Sequence, residues 1–240
     1  MSKVYTTDHS ASVIQTHGWR TLSNSAAYVL PYIRPDLQIL DVGCGPGSIT
    51  IDFAKHAPHG HVTGIEYVPE PLDGARKLAT AENITNVSFQ VGDIHAIPFP
   101  DDTFDIVHVH QVLQHIADPV RALQEMRRVV KQGGIVAVRE SASQTWYPES
   151  KGISAWQELG EKMGRAKGGN PYPGSSQEER EYWGGSMRER TKASGFATTA
   201  IKEGYSSQEE LDKIAKGWKD FVEDDDAWFG LLHGEIVCRK

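Results

Sequence analysis

The stretch Ile39–Ile51, which reads Ile-Leu-Asp-Val-Gly-Cys-Gly-Pro-Gly-Ser-Ile-Thr-Ile, decides the fold of this chain. A short apolar run ends at an acidic residue, three glycines alternate with other residues, and a helical pattern begins at once. A buried strand, a glycine turn and a helix in this order predict the first βα unit of an open α/β sheet with a nucleotide-type ligand site. The glycines suit such a turn because, without a Cβ, they let the backbone approach a ligand closely.

The spacing of these glycines differs from the dinucleotide-binding fingerprint at one position. In the G-x-G-x-x-G form the third glycine would fall on Ser48, whereas here it lies at Gly47. Ser48 at the position of the third glycine counts against a nicotinamide-dependent oxidoreductase, which nevertheless stays an alternative because its cofactor site uses the same strand-turn-helix. The helix that follows would direct its N-terminal amides at the carboxylate or ribose side of a ligand.

Acidic residues lie at the ends of the next two predicted strands. Val62–Tyr67 carries Glu66, where a carboxylate can accept hydrogen bonds from both ribose hydroxyls. Val87–Asp93 alternates as a third strand and ends at its acid, in the crevice where open sheets bind ligands. The alternatives are an ordinary surface acid for the first and a turn-forming aspartate for the second.

The composition limits the class of protein and of partner. The chain has 240 residues, 39% of them hydrophobic and 24% charged, and a net charge of −7, which predicts a globular protein with no basic footprint for nucleic acid. It contains no apolar run near the roughly 20 residues of a membrane helix, and no secretory signal. Its two cysteines indicate a reducing, cytoplasmic location. We expect a small-molecule substrate and leave the oligomeric state open.

Three motifs in order resemble the class I S-adenosylmethionine (SAM)-dependent methyltransferases. They are Asp41–Gly47 in the glycine turn, Ala96–Val107 (Ala-Ile-Pro-Phe-Pro-Asp-Asp-Thr-Phe-Asp-Ile-Val) and Ala122–Gly134 (Ala-Leu-Gln-Glu-Met-Arg-Arg-Val-Val-Lys-Gln-Gly-Gly). The second and third are similar to the ubiquinone/menaquinone biosynthesis branch (methyltransferase type 11), except that Gln132 stands where proline is usual. The resemblance spans about residues 37–140.

This resemblance implies a fold, a cofactor and a set of cofactor contacts. The fold is a Rossmann-like, doubly wound α/β sheet of seven strands in the order 3-2-1-4-5-7-6, with the last strand antiparallel. Residues 1–240 form a single domain with an N-terminal arm at 1–25 and a helical substrate lid at 144–195. The cofactor is SAM, and its predicted contacts are Asp41, Gly43, Cys44, Gly45, Gly47, Glu66, Tyr67, Gly92, Asp93, Ile94, His110 and Gln111.

Methyl transfer needs a general base only where the acceptor must lose a proton. His115 is our candidate base because its ordinary pKa of about 6.5 suits neutral pH; it could instead cap a helix or bind Asp118. The histidines at 95, 108, 110 and 115 match no metal-ligand spacing, so we expect no metal. Cys44 lies in the turn, and we do not expect a nucleophile there.

The predicted arm at 1–25 and the predicted lid at 144–195 carry aromatic residues whose role has two interpretations. They contact the substrate, or they are additional core. The candidate substrate contacts are Tyr5, Trp19, Arg20, Trp146, Tyr147 and Trp183. The apolar spacing also predicts helices at Ser23–Ile33, Ser154–Met163, Gln177–Ala193 and Gln208–Phe221, and strands at Ala197–Glu203 and Leu232–Cys238. A non-catalytic partner subunit with the same fold is a further alternative, disfavoured by the intact acids and glycines.

Overall fold

The computed structural model describes residues 18–166, 185, 187–224 and 228–240. These residues divide into two compact units. We call the first the sheet unit, which comprises 18–113, 118–140 and 234–240, and the second the helical unit, which comprises 114–117 and the described part of 141–233. The predicted single domain with an arm and a lid stays a prediction.

A six-stranded sheet in the order β3-β2-β1-β4-β5-β6 forms the centre of the described fold. The first five strands follow the predicted order, and β1 pairs in parallel with both β2 and β4. This confirms the Rossmann-like α/β class. The strands are β1 Gln38–Val42, β2 His61–Glu66, β3 Val87–Val91, β4 Phe104–His110, β5 Val130–Tyr147 and β6 Trp228–Arg239.

The last strand runs antiparallel to β5, as expected. Gly133 donates its amide to the Lys240 carbonyl at 2.9 Å, and Lys240 donates to the Gly134 carbonyl at 3.1 Å. Further along, the Arg139 guanidinium lies 3.1 Å from the Glu235 carboxylate. The start of β5 therefore pairs with the end of β6.

Helices connect the strands in the sheet unit and dominate the helical unit. They are α1 Leu22–Ser25, a 3₁₀ turn Ala27–Tyr32, α2 Ser48–His56, α3 Glu70–Ala81, a 3₁₀ turn Leu113–His115, α4 Pro119–Val129, α5 Lys151–Ala166, residues 187–193, α6 Gly195–Lys202 and α7 Gln208–Glu223. Of the predicted helix at 177–193, the part before residue 187 lies outside the described residues, apart from residue 185.

The predicted strand Ala197–Glu203 is wrong, because this segment is helix α6. The Ser194 hydroxyl accepts a hydrogen bond from the Phe196 amide and caps the helix. Phe196, Ala197 and Ala200 are buried, a spacing that places one helical face in a core. Threonine and isoleucine in this segment favour a strand, but burial of that face decides the conformation. The sheet of the described residues therefore has six strands and not seven.

The predicted helix Ser23–Ile33 is two shorter pieces. Between α1 and the 3₁₀ turn, Ala26 has φ −144° and ψ 28°, which no helix accommodates. Pro31 lies inside the 3₁₀ turn, where it has no amide hydrogen to donate. Of the apolar positions in this segment, Ala26 and Val29 are buried, whereas Ala27 is exposed.

Each unit has its own apolar core. In the sheet unit, the core includes Ile39 and Ile106 from the sheet and Phe53 from α2. In the helical unit, the Trp156 and Trp218 rings meet edge to face at 5.2 Å between centroids. Helices α5 and α7 approach closely where Gly152 faces Gly217, since a Cβ on Gly152 would lie 2.5 Å from the Gly217 Cα.

Candidate functional site

The glycine turn between β1 and α2 is a tight backbone structure. The amides of Gly43 and Cys44 both donate to the Ile65 carbonyl, at 2.8 and 3.0 Å, and the Gly47 amide donates to the Cys44 carbonyl at 3.0 Å. Gly43, Gly45 and Gly47 have φ values of +68°, +52° and +80°. Each therefore adopts the left-handed region, which side chains with a Cβ rarely enter.

Two of these glycines are packed against neighbours, and the third faces open space. A Cβ on Gly43 would lie 2.4 Å from Val112 Cγ2, and a Cβ on Gly47 would lie 2.7 Å from Ala75 Cβ. Nothing lies within 4 Å of a Cβ built on Gly45. The turn is therefore supported on two sides and leaves room for a ligand at its middle glycine.

Glu66, at the end of β2, points its carboxylate toward this turn. Its Oε2 accepts from the Gly45 amide at 3.1 Å and its Oε1 accepts from the Tyr67 amide at 2.7 Å. The residue is half-buried, and Tyr67 is exposed. A carboxylate oxygen can accept more than one hydrogen bond, which is the property that binding of ribose hydroxyls requires.

Asp93 follows β3 in a turn that also holds Gly92 and Ile94. The Gly92 amide donates to the Glu66 carbonyl at 2.9 Å, so β2 and β3 stay in register to this point. Asp93 Oδ1 accepts from the His95 amide at 2.8 Å, while its side chain is 43% exposed. Ile94 is buried. The exposed carboxylate can accept from an amino group of a ligand.

Asp41 has a different environment from the other two acids. It is only 3% exposed. Its Oδ2 accepts from the Thr50 hydroxyl at 2.6 Å, and its Oδ1 lies 2.8 Å from His108 Nδ1. Asp41 is buried in β1 just before the glycine turn, and its direct contact with SAM stays a prediction. Sequence reasoning missed Thr50 and His108 as partners of this acid.

The loop after β4 is held in place from several directions. Gln111 has φ +53°, donates its amide to the Arg139 carbonyl at 2.8 Å and accepts a side-chain hydrogen bond from Arg20. Glu140 Oε1 accepts from the Val112 amide at 2.9 Å and from the Leu113 amide at 2.8 Å. His110 is buried at the strand end. Sequence reasoning also missed Glu140, although its place just after the apolar run Ile135–Val138 was the available signal.

The other predicted residues lie in different surroundings. Trp19 is 38% exposed, whereas Arg20, a predicted substrate contact, bonds to Gln111 as described above. In the helical unit, Trp146 packs against the core there and Tyr147 is 54% exposed. Tyr5 and Trp183 lie outside the described residues.

His115, the predicted base, belongs to the helical unit. Its Nε2 lies 3.2 Å from the Gln114 amide nitrogen, and Gln114 Oε1 accepts from the Ser141 hydroxyl at 2.7 Å. The cap of α4 is Asp118 itself, which accepts from the Arg121 amide at 2.9 Å. His115 is therefore not the cap of that helix.

Cys44 is an unreactive thiol in this setting. Burial raises its pKa well above the ordinary value, and the negative charges of Asp41 and Glu66 raise it further. The thiolate, which is the nucleophilic form, is thus disfavoured at neutral pH.

The described residues hold neither a candidate metal centre nor a helix that could span a membrane. They contain no group of three or more His, Cys, Asp and Glu side chains that could hold a metal ion. They also contain no helix with the length and apolar character needed to cross a bilayer.

The residues around the glycine turn fit SAM in charge and in space. Gly45 leaves an open approach, Glu66 presents acceptors suited to ribose hydroxyls, and Asp93 presents one suited to an adenine amino group. All three belong to the sheet unit and follow β1, β2 and β3 at the carboxyl edge of the sheet, where open α/β sheets bind their ligands.

Comparisons with known proteins agree with this fit. Residues 33–214 match the family described as a methyltransferase domain. The chain is 35% identical over 260 residues to an uncharacterized methyltransferase of Schizosaccharomyces pombe, which covers 95% of this chain and 93% of the relative. It is 38% identical over 108 residues to the ubiquinone/menaquinone biosynthesis C-methyltransferase UbiE of Ruegeria, covering 45% of this chain and 43% of that protein.

A solved structure shares the fold over nearly the whole chain. The YcgJ protein of Bacillus subtilis superimposes with a TM-score of 0.55 and 20% identity, over 90% of this chain and 97% of that one. The sheet, the glycine turn and the family match lead to one assignment. This chain belongs to the class I SAM-dependent methyltransferases, and SAM is its cofactor.

Proposed function

We propose that this enzyme methylates a small organic acceptor, either a quinone-like ring or a secondary metabolite. The observation that carries the proposal is the extent of the two sequence similarities. The similarity to the quinone enzyme covers 45% of this chain, whereas the similarity to the fission-yeast methyltransferase covers 95%. The shared motifs lie within about residues 37–140 and serve SAM, so they do not specify a quinone.

The net charge of −7 supports a small acceptor over a nucleic acid. We include a cytoplasmic location in the proposal, since both cysteines are free thiols, Cys44 buried and Cys238 exposed. We also include the role of residues 144–195 in selecting the acceptor, which their divergence from the quinone branch supports.

The residues of the sheet unit would bind and orient the cofactor. When bound, SAM supplies a methyl group activated by the positive charge of its sulfonium. Glu66 and Asp93 would hold the ribose and the adenine, and the glycine turn would accommodate the methionine chain that extends from the other side of the ribose. Because the donor is already activated, proximity and orientation supply most of the catalysis.

His115 is the proposed base for acceptors that lose a proton. The Ser141 hydroxyl donates to Gln114 Oε1, which leaves the Gln114 amide nitrogen to donate to His115 Nε2. In this arrangement the proton of the neutral imidazole is on Nδ1. Accepting a proton at Nε2 therefore requires His115 to release Gln114 when the acceptor binds.

The test is a turnover screen of the full chain with SAM. The acceptors are a demethylated naphthoquinol, a set of phenolic polyketides and a no-acceptor control, and the readout is S-adenosylhomocysteine together with a methylated product. Product from either class supports the proposal, and its atom of attachment distinguishes O- from C-methylation. SAM binding without product from any acceptor would favour the non-catalytic partner subunit, and binding of NADH in place of SAM would favour the oxidoreductase.

The same screen also tests His115 as the general base. We expect His115→Ala to bind SAM within about twofold of the parent and to lose about 10²-fold or more in turnover with an acceptor that must be deprotonated. Gln114→Ala is the matched control and should retain turnover, since it removes the donor that competes at Nε2 together with the acceptor of the Ser141 hydroxyl and leaves the imidazole in place. Unchanged turnover in His115→Ala would remove the histidine from the mechanism.

A further inference from the structure

We propose that His108 is a positioning residue that holds the glycine turn in its SAM-binding conformation, acting through Asp41. The proposal rests on the SAM site described above. His108 and Asp41 are neighbours across the parallel pair β4 and β1, and His108 Nδ1 lies 2.8 Å from Asp41 Oδ1. His108 is completely buried, so it acts through the aspartate and not on a ligand.

Asp41 carries this restraint to the far side of the turn. Its other oxygen accepts from the hydroxyl of Thr50, which is completely buried in the first turn of α2. The glycine turn begins after β1 and ends at the start of α2, so one carboxylate connects both of its ends. Loss of either hydrogen bond would leave a buried carboxylate oxygen without a donor, which is unfavourable enough to move the backbone.

The surroundings of His108 indicate that the residue acts through its Nδ1 atom. The ring meets Phe53 edge to face at 5.0 Å and stacks on His110 at 6.4 Å between centroids. Within the described part of the chain, His108 Nε2 is buried and has no hydrogen-bond partner. A buried nitrogen without a hydrogen-bond partner is unfavourable, so Nε2 does not favour a histidine at this position. Beyond its packing, the imidazole therefore contributes the hydrogen bond between Nδ1 and Asp41.

Three substitutions separate this role from simple packing. In His108→Asn the amide nitrogen is bonded to Cγ, as Nδ1 is in histidine, so the donor to Asp41 is retained. In His108→Gln the amide lies further out, near the position of Nε2, and His108→Leu has no donor. We expect His108→Asn to bind SAM within about threefold of the parent, and the other two to lose about tenfold or more in affinity.

The measurements are calorimetric titration with SAM and amide hydrogen exchange at residues 43–48, both on the full chain well below its unfolding midpoint. Exchange in the turn should be faster in His108→Leu and close to the parent in His108→Asn. Phe53→Leu is the control for packing, because it removes a ring contact from the same core and keeps both hydrogen bonds of Asp41. It should lower stability and leave SAM affinity unchanged.

The outcomes also distinguish this proposal from the SAM site itself. A parent protein that binds no SAM would overturn the site, whereas equal affinity in parent and His108→Leu would overturn only the positioning role. If His108→Leu does not fold, the isosteric Thr50→Val removes the other hydrogen bond of Asp41 and should give the same loss. Unchanged affinity and exchange in Thr50→Val would then overturn the proposal.

Discussion

Three acids near the ends of the first three strands have different surroundings, and their roles differ accordingly. Asp41 is buried between a histidine and a threonine, Glu66 is half-buried against backbone amides, and the Asp93 side chain is 43% exposed. A carboxylate whose oxygens are both engaged by buried donors contributes mainly to structure, whereas a partly exposed carboxylate is accessible to a ligand. At the scale of single residues, Glu66 and Asp93 are therefore the stronger candidates for direct contact with SAM.

Glu66→Ala is expected to weaken SAM binding by at least about tenfold, or roughly 1.4 kcal/mol, because it removes charged acceptors. Titration calorimetry measures this directly. The control is Glu70→Ala, an exposed acid in the first turn of α3, which should bind SAM as the parent does. Equal affinity in both variants would show that Glu66 does not contact the cofactor.

The two cysteines should differ sharply toward thiol reagents. Since the pKa of Cys44 is raised above its ordinary value, its thiolate fraction near neutral pH is lower than that of a free cysteine, and its burial blocks access. We expect Cys238, which is exposed, to be alkylated first in the native protein, and Cys44 only after unfolding. Peptide mass mapping after brief alkylation gives the result, and early modification of Cys44 would contradict the buried environment.

At the scale of elements, glycine has opposite effects in a turn and in a helix. Gly74 lies exposed within α3, and a Cβ there would meet nothing within 4 Å. Gly43 has φ +68°, and a Cβ there would lie 2.4 Å from Val112. Substitution by alanine should therefore stabilise helix α3 at Gly74 and disrupt the glycine turn at Gly43.

We expect Gly74→Ala to raise the free energy of unfolding by about 0.5–1 kcal/mol, since alanine loses less backbone entropy in a helix. Gly43→Ala should lower stability and SAM affinity together, because the turn must shift. Chemical denaturation and titration of the two variants form a matched pair. A Gly43→Ala variant with parental stability and affinity would contradict the geometry of the turn.

Helix α4 packs against one of the sequence motifs that carry the family resemblance. The motif Ala96–Val107 precedes and enters β4, and α4 packs onto it through Arg128, which donates to the Ile97 and Phe99 carbonyls at 2.9 Å. Glu125 accepts from Arg128 at 2.8 Å and from the Ile97 amide at 2.9 Å. The Arg128 hydrogen bond lowers the pKa of Glu125, so this contribution is present above the ordinary carboxylate range and is lost as pH falls below it. The two family motifs are thus in direct contact in the structure.

At the scale of the whole molecule, the described residues form two units with separate cores. Their unfolding need not be a single transition. A ligand that binds one unit stabilises the native form of that unit by mass action.

SAM at about 100 times its Kd should therefore raise the free energy of unfolding of the sheet unit by about 2.7 kcal/mol. Thermal unfolding with and without SAM, followed calorimetrically, measures the shift. NADH is the control and should have no effect. A shift with NADH and none with SAM would contradict the cofactor assignment.

Several features were predictable from sequence because their causes are local. The glycines at 43, 45 and 47 predict a sharp turn, and in the structure all three have positive φ angles. Apolar and alternating runs predict the strands, and β1 to β5 are present in a sheet of the expected class. The error at 197–203 arose because β-branched residues favour a strand while only the assembled core shows which face is buried.

The sequence by itself determined the strand-turn-helix at Asp41–Ser48, the α/β class and the family, since these depend on neighbouring residues and on motif order. Only the tertiary structure decided which acids are buried and which stay accessible to a ligand. Asp41 and His108 are 67 positions apart, and Glu140 reaches the Val112 amide across 28 positions. Burial and hydrogen-bond pairing at such separations exist only once the strands are side by side, and for that reason the supporting role of His108 is visible in the fold and not in the sequence.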